Sequence, residues 1–151
     1  MVTTKPHVII YTDGGCKPNP GHGGWAALLI YADHQKEFSD GSPNTTNNQM
    51  ELTAAIMAFE ALNKACDVDF YTDSNYLKNG ITKWIFGWIK KGWRTTSGKP
   101  VKNQELWQRL HRAMKAHTII WHWTRGHAGN RYNERVDRLA TAARIRIENQ
   151  S

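Results

Sequence analysis

Two short apolar runs that each close on the same triplet, Tyr11-Thr12-Asp13 and Tyr71-Thr72-Asp73, constrain the fold of this chain more than any other feature. The runs, residues 8–11 and 68–72, are rich in β-branched and aromatic residues and read as strands. Side chains alternate faces along a strand, so each triplet sets an aspartate at a strand's carboxyl end, where open α/β sheets build their sites. If the two strands lie side by side in parallel, Asp13 and Asp73 come together. Neighbouring carboxylates repel unless a cation compensates them, and a divalent metal suits such a place. Each aspartate also has an ordinary alternative: Asp73 as the N-cap of a helix starting at Ser74, and Asp13 as part of a Gly14-Gly15 turn.

Around these strands, residues 25–31 form another apolar run and residues 37–39 a weaker one, before a turn at Gly41-Ser42-Pro43-Asn44. The short gaps favour antiparallel neighbours, because a parallel return needs a longer crossover. Leu52, Ile56 and Phe59 at i, i+4, i+7 predict a helix from about 46–48 to 64–65. Further helices are expected over 74–79, ending at Gly80, then over 83–90, 104–115 and 133–147, with a fifth strand over 118–123. The expectation is an α/β fold: a mixed five-stranded sheet, its first three strands antiparallel, flanked by helices. A chain of 151 residues without a linker or low-complexity stretch is expected to be one domain, 1–151.

Composition narrows the function. Residues 1–7 have no apolar core or small-residue cleavage site of a signal peptide, and the run from 25 to 32 is too short to cross a bilayer. Cys16 and Cys66 cannot build a disulfide framework or a four-cysteine zinc site, so free thiols in a cytoplasmic chain are expected. The net charge is +7, and residues 81–102 carry six bases and no acid. A polyanionic partner fits that imbalance. Other residues read ambiguously. Asn48 followed three residues later by Glu51 fits a capping box; Asp137 fits a solvated helix position; His127 fits an ordinary loop. His117, His122 and His127 are regularly spaced, but they straddle a strand and a loop with no cysteine nearby, a weak case for zinc.

Taken in order, the segments Tyr-Thr-Asp13-Gly-Gly, Asn47-Asn48-Gln49-Met50-Glu51-Leu52, Tyr-Thr-Asp73-Ser, Gly126-His127-Ala128-Gly129 and Asn133-Glu134-Arg135-Val136-Asp137 resemble the type 1 ribonuclease H family over nearly the whole chain. The form resembled is the bacterial single-domain one. The resemblance implies an endonuclease that cuts the RNA strand of an RNA–DNA hybrid, leaving 5′-phosphate and 3′-hydroxyl ends. It implies Asp13, Glu51, Asp73 and Asp137 as metal-binding catalytic carboxylates and His127 as a proton shuttle. Hard carboxylate oxygens suit Mg²⁺, with Mn²⁺ as a second choice. Two such ions roughly 4 Å apart activate water and stabilise the leaving oxygen.

The resemblance also places a basic protrusion at 81–102, which implies phosphate contacts for Lys90, Lys91, Arg94 and Lys99 and sugar-facing roles for Trp84 and Trp88. Ile81, Trp84, Ile85 and Trp88 are spaced as core residues too, so part of this aromatic set is expected inside. RNA is told from DNA by its 2′-hydroxyl, for which Gly14, Cys16, Asn19, Asn47, Asn48 and Asn75 supply uncharged amide and backbone groups. Asn75 is shorter than the glutamine frequent at that place in the family, and Asn130-Arg131-Tyr132 replaces a more usual His-Pro type of loop. A monomer is expected. The competing readings are a non-cutting nucleic-acid binder and a junction resolvase or transposase core on the same fold.

Overall fold

The computed structural model describes residues 5–124 and 130–150. Its strands are β1 (His7–Cys16), β2 (Gly21–Tyr31), β3 (His34–Thr45), β4 (Asp67–Thr72) and β5 (Thr118–Trp123), in the spatial order β3-β2-β1-β4-β5. β1, β2 and β3 pair antiparallel, whereas β4 lies parallel to β1 and β5 parallel to β4. The mixed sheet and its antiparallel opening are as expected. Helix α1 (Asn47–Glu60) carries the chain from β3 to β4; α2 (Asn75–Asn79), α3 (Ile85–Lys90) and α4 (Gln104–Met114) carry it to β5, and α5 (Arg131–Gln150) follows.

The period-2 burial of β4 shows why the sheet has two differently covered faces. Val68, Phe70 and Thr72 are buried on one side, and Val8 and Ile10 of β1 join them there. Against these pack Leu52, Ile56 and Phe59 of α1, backed by Trp107 and Leu110 of α4. Each such side chain, fully withdrawn from water, stabilises the fold by about 1.5–3 kcal/mol. On the opposite face Val136 and Ala140 of α5 pack on Tyr11, Ala26 and Leu28.

Several boundaries differ from the sequence reading, each for a packing reason. β1 continues through Gly14 and Gly15 to Cys16, with Gly14 paired to Trp25 and Cys16 to Gly23. Gly14 is therefore no turn residue; a Cβ there would lie 2.5 Å from the Met50 carbonyl carbon, so its bareness admits the start of α1. β3 continues through the expected turn at 41–44 with a break in register, Ser42 pairing with Gly23 and Thr45 with Gly21, and an edge strand tolerates Pro43 in such an irregularity. α1 stops earlier than expected, at Glu60, and α5 is longer at both ends.

Residues 75–90 are not two helices divided by a stop at Gly80. The chain passes from α2 through one π-helical turn, Gly80–Trp84, directly into α3. Gly80 has right-handed helical angles, φ −62° and ψ −49°. It is glycine because a Cβ would overlap the ring of Trp107, which is fully buried. Helix propensity alone would make Gly80→Ala stabilising by about 0.5–1 kcal/mol. Overlap with the Trp107 ring reverses the sign, and a net destabilisation of about 1–3 kcal/mol is expected in urea unfolding.

Candidate active site

The site begins with the parallel pairing of β1 and β4, which sets Tyr11 directly beside Tyr71. Their rings stack with centroids 4.6 Å apart and planes 12° from parallel, and Tyr132 of α5 tilts against Tyr11 at 5.2 Å. Alternation turns the threonines the other way, and Thr12 and Thr72 are buried under α1. Two residues beyond its tyrosine, Asp13 lies on β1 just past the last pairing with β4, and Asp73 directly follows the end of β4. The expectation of a strand end holds for Asp73 and not for Asp13, because pairing with β2 carries β1 on to Cys16. The ordinary alternatives for these acids are not the ones the structure uses. Ser74 is the N-cap of α2, its Oγ accepting from Leu77 N at 3.0 Å, so Asp73 is left to the cleft.

Glu51 is likewise released from capping duty. The N-cap of α1 is Thr46, whose Oγ1 accepts from Gln49 N at 3.1 Å, rather than Asn48 with Glu51. The first turn of α1 abuts β1 at Gly14 and so brings Glu51 to the same end of the sheet. There the Ser74 hydroxyl donates to Glu51 Oε2 while it also caps α2, which ties the two helix starts to one carboxylate. Asp137 arrives from α5. Asn130 caps that helix, its Oδ1 accepting from Tyr132 N at 2.9 Å and Asn133 N at 3.0 Å.

Asp13, Glu51, Asp73 and Asp137 together line one cavity of about 550 Å³. Burial pushes the Asp13 carboxyl up to about 8, reinforced by the neighbouring Asp73 and by a hydrogen bond and like charge from Asp137. Glu51 rises to about 7, again mainly through burial; the Ser74 hydroxyl opposes the shift and Asp73 adds to it. These carboxyls are held where their charge is poorly solvated and mutually repelled. Hard oxygen donors under such repulsion fit a divalent cation such as Mg²⁺. Among the described residues no three His, Cys, Asp or Glu side chains form a ready-made ligand group.

The same cavity is lined by Gly14, Cys16, Asn47, Asn48 and Asn75. Asn19 stands beside it, its Oδ1 accepting from Asn47 N at 3.2 Å, and Asn47 Oδ1 accepts from Cys16 N at 2.5 Å. Lys17, Tyr76, Thr141 and Arg144 line it as well. The sequence reading did not single these out; the helical spacing of Thr141 and Arg144 from Asp137, at i+4 and i+7, is the signal that points to them. The expected proton shuttle, His127, lies outside the described residues. The weak zinc reading finds no support from its other members: His117 Nδ1 accepts from Cys66 N, and His122 Nε2 bonds Asp69 Oδ1 on the sheet.

The basic segment is separate from the cavity. Lys90, Lys91, Arg94 and Lys99 are exposed, and Arg94 donates to Gly98 O at 2.9 Å within its hairpin. Trp84 is 38% exposed, whereas Trp88 is half-buried against Trp107 and Trp93. The π-helical turn inserts extra backbone between α2 and α3, so Trp84 leaves the stripe that a regular helix would have kept inside.

Residues 5–145 match the family model described as RNase H. The chain is 62% identical over 135 residues to "Ribonuclease H" of Bradyrhizobium diazoefficiens, covering 89% of this chain and 88% of that one. It is 60% identical over 136 residues to "Ribonuclease H" of Rhodopseudomonas palustris, covering 90% and 87%. It also superposes with TM-score 0.85 on the crystal structure of LC9-RNase H1, "a type 1 RNase H with the type 2 active-site motif", at 33% identity over 96% of this chain and 75% of that chain.

The acid cluster makes stability depend on pH in a stated direction. Asp13 and Glu51 have raised values in the folded state, so the folded chain holds their protons longer than the unfolded chain. Their cost is absent below the unfolded values near 4, grows as pH rises, and is complete above about 8 for Asp13. With chelator present, Asp13→Asn is therefore expected to raise the melting temperature at pH 8 to 9 and to change it much less at pH 5.

Proposed function

The chain belongs to the ribonuclease H family, and on that premise we propose that it cuts the RNA strand of RNA–DNA hybrids internally at the four-carboxylate cavity. The observation that carries the placement is the gathering of Asp13, Glu51, Asp73 and Asp137, from β1, α1, the end of β4 and α5, around one cleft. The proposed metal ligands are these carboxylates, and the proposed ions are Mg²⁺ or Mn²⁺. When bound, a pair of such ions supplies an activated water and charge stabilisation for the departing 3′ oxygen, leaving a 5′-phosphate. The chain's own share is positional. Ser74 fixes the Glu51 carboxylate, and the packed β1–β4 pair holds Asp13 beside Asp73. His127 is assigned the proton traffic at the leaving oxygen.

Recognition of the hybrid divides between two regions. Gly14, Cys16, Asn19, Asn47, Asn48 and Asn75 are assigned to the RNA strand and its 2′-hydroxyls. Asn47 suits this because its oxygen already accepts from Cys16 N, which leaves its amide donor for a ligand. Lys90, Lys91, Arg94 and Lys99 are assigned to backbone phosphates, with Trp84 against a sugar face. Trp88 is assigned mainly to holding Trp84 in place, since it packs inward and meets the Trp84 ring at 5.8 Å. Among the described residues no helix is long and apolar enough to cross a membrane. Anionic side chains facing a polyanion weaken a pure binder, which favours cutting over binding alone.

On a labelled hybrid with Mg²⁺, cleavage is expected inside the RNA strand only, with none in chelator and little on duplex DNA. Asp13→Asn should lower turnover by about a hundredfold or more while hybrid binding persists, the scale seen when electrostatic stabilisation at a reacting centre is removed. Undiminished turnover in that variant would move the site elsewhere. Replacing Lys90 and Lys91 together by alanine should reduce the slope of log binding constant against log salt by about two units, about one for each lost phosphate contact. An unchanged slope places these lysines off the binding face.

A further inference from the structure

Helix α5 lines the acidic cavity with Asp137, Ala140, Thr141 and Arg144, which stand at i, i+3, i+4 and i+7 and so form one stripe. The stripe begins with an acid and ends with a base, about 10.5 Å further along the helix axis. Between them lie two small side chains, which leave a trough open along the helix. We infer that Arg144 binds a phosphate of the strand being cut, next to the scissile one, and so sets the register of that strand in the cavity. This rests on the proposed hybrid-cutting function and adds a binding residue to it.

Three observations converge on Arg144. Arg144 lines the same cleft as the four carboxylates, a cleft proposed to receive a polyanion, and a planar cation with several donors suits phosphate oxygens. Its backbone cannot drift: a Cβ at Gly24 of β2 would lie 2.7 Å from Arg144 N, so helix and sheet are in close contact at that residue. Its side chain is held too, with Nη1 donating to Glu148 Oε1 one helical turn on. The Arg144 side chain is only 20% exposed, partly enclosed yet open to the cleft. An arginine fixed at both ends loses little freedom on meeting a ligand, which strengthens each hydrogen bond it makes. The basic segment at 81–102 cannot serve this phosphate, because none of its bases lines the cavity. The separation along α5 puts Arg144 beyond the reacting phosphate, so its contribution is to binding and alignment.

The test compares Arg144→Ala, Arg144→Lys and Glu148→Gln with the wild type on hybrids, some carrying one uncharged methylphosphonate linkage at a chosen position in the RNA strand or in the DNA strand. Arg144→Ala is expected to raise KM roughly tenfold with kcat little changed, the size of one charge-assisted hydrogen bond. The salt slope of binding should fall by about one unit. Arg144→Lys should recover part of the loss, and Glu148→Gln should shift KM in the same direction by less. On a hybrid whose RNA linkage beside the cut is already uncharged, the penalty for Arg144→Ala should vanish, whereas an uncharged linkage in the DNA strand should leave it intact. If Arg144 served only its pair with Glu148, Arg144→Ala and Glu148→Gln would lower the melting temperature alike and leave KM and the salt slope unchanged. That result overturns the inference while wild-type cleavage stands. A wild-type chain that leaves the hybrid whole overturns the cutting function, and the inference with it.

Discussion

Repulsion among carboxylates confined in one partly buried pocket is the constraint to which the rest of the structure answers. Asp13, desolvated by burial and then pressed by Asp73 and Asp137, resists ionisation up to about 8, and Glu51, again chiefly through burial, up to about 7. Left to themselves these groups would separate and hydrate. They stay together because each is anchored to an element whose position is settled by apolar contacts elsewhere. β1 and β4 are clamped by Ile10 and Phe70 against α1, and α5 is seated by Val136 and Ala140 on the other face. A destabilised acidic cluster is thus maintained by hydrophobic burial that has no chemical part in the site.

Both faces of the sheet contribute, and that is why the site has ligands from such distant points of the chain. Alternation along β1 buries Thr12 toward α1 and leaves Tyr11 and Asp13 toward α5. Glu51 comes over the edge from the α1 side, an approach open only because residue 14 has no side chain. Ser74 then links the two sides by bonding Glu51 and capping α2 with the same oxygen. Charge is sorted in a parallel way. The acids occupy the cleft, six bases concentrate in the segment 81–102, and Arg144 is the base at the cleft's far end.

Legibility of the fold followed from the strength of local signals. The extents of β4 and β5 and the start of α1 within a residue or two were readable from local pattern, although the cap of α1 is Thr46 and not the Asn48 with Glu51 that the spacing suggests. Readings failed wherever glycine served packing. Gly14 and Gly80 look like punctuation to local rules, yet one sits mid-strand and the other mid-helix, each making room for a distant residue. Pro43 misled in the same way, since only the sheet order shows that β3 is an edge. In the site, the acids stood out through motif order. Thr141 and Arg144 belong to no motif, and their helical spacing from Asp137 gains meaning only once α5 is seen to lie along the cleft.

The sequence by itself determined the mixed sheet, the paired Tyr-Thr-Asp segments on neighbouring strands, the location of the net positive charge and the family to which the chain belongs. These are properties of composition, period and order, which persist without knowledge of long-range contacts. Only the tertiary structure decided which capping alternatives fell away, which tryptophan faces solvent, and that Lys17 and Arg144 share the cavity with the acids. Those outcomes depend on contacts between residues far apart in the chain. Ser74 with Glu51, Gly80 with Trp107 and Gly24 with Arg144 are each a matter of atoms meeting across the fold, and no local pattern encodes such a meeting.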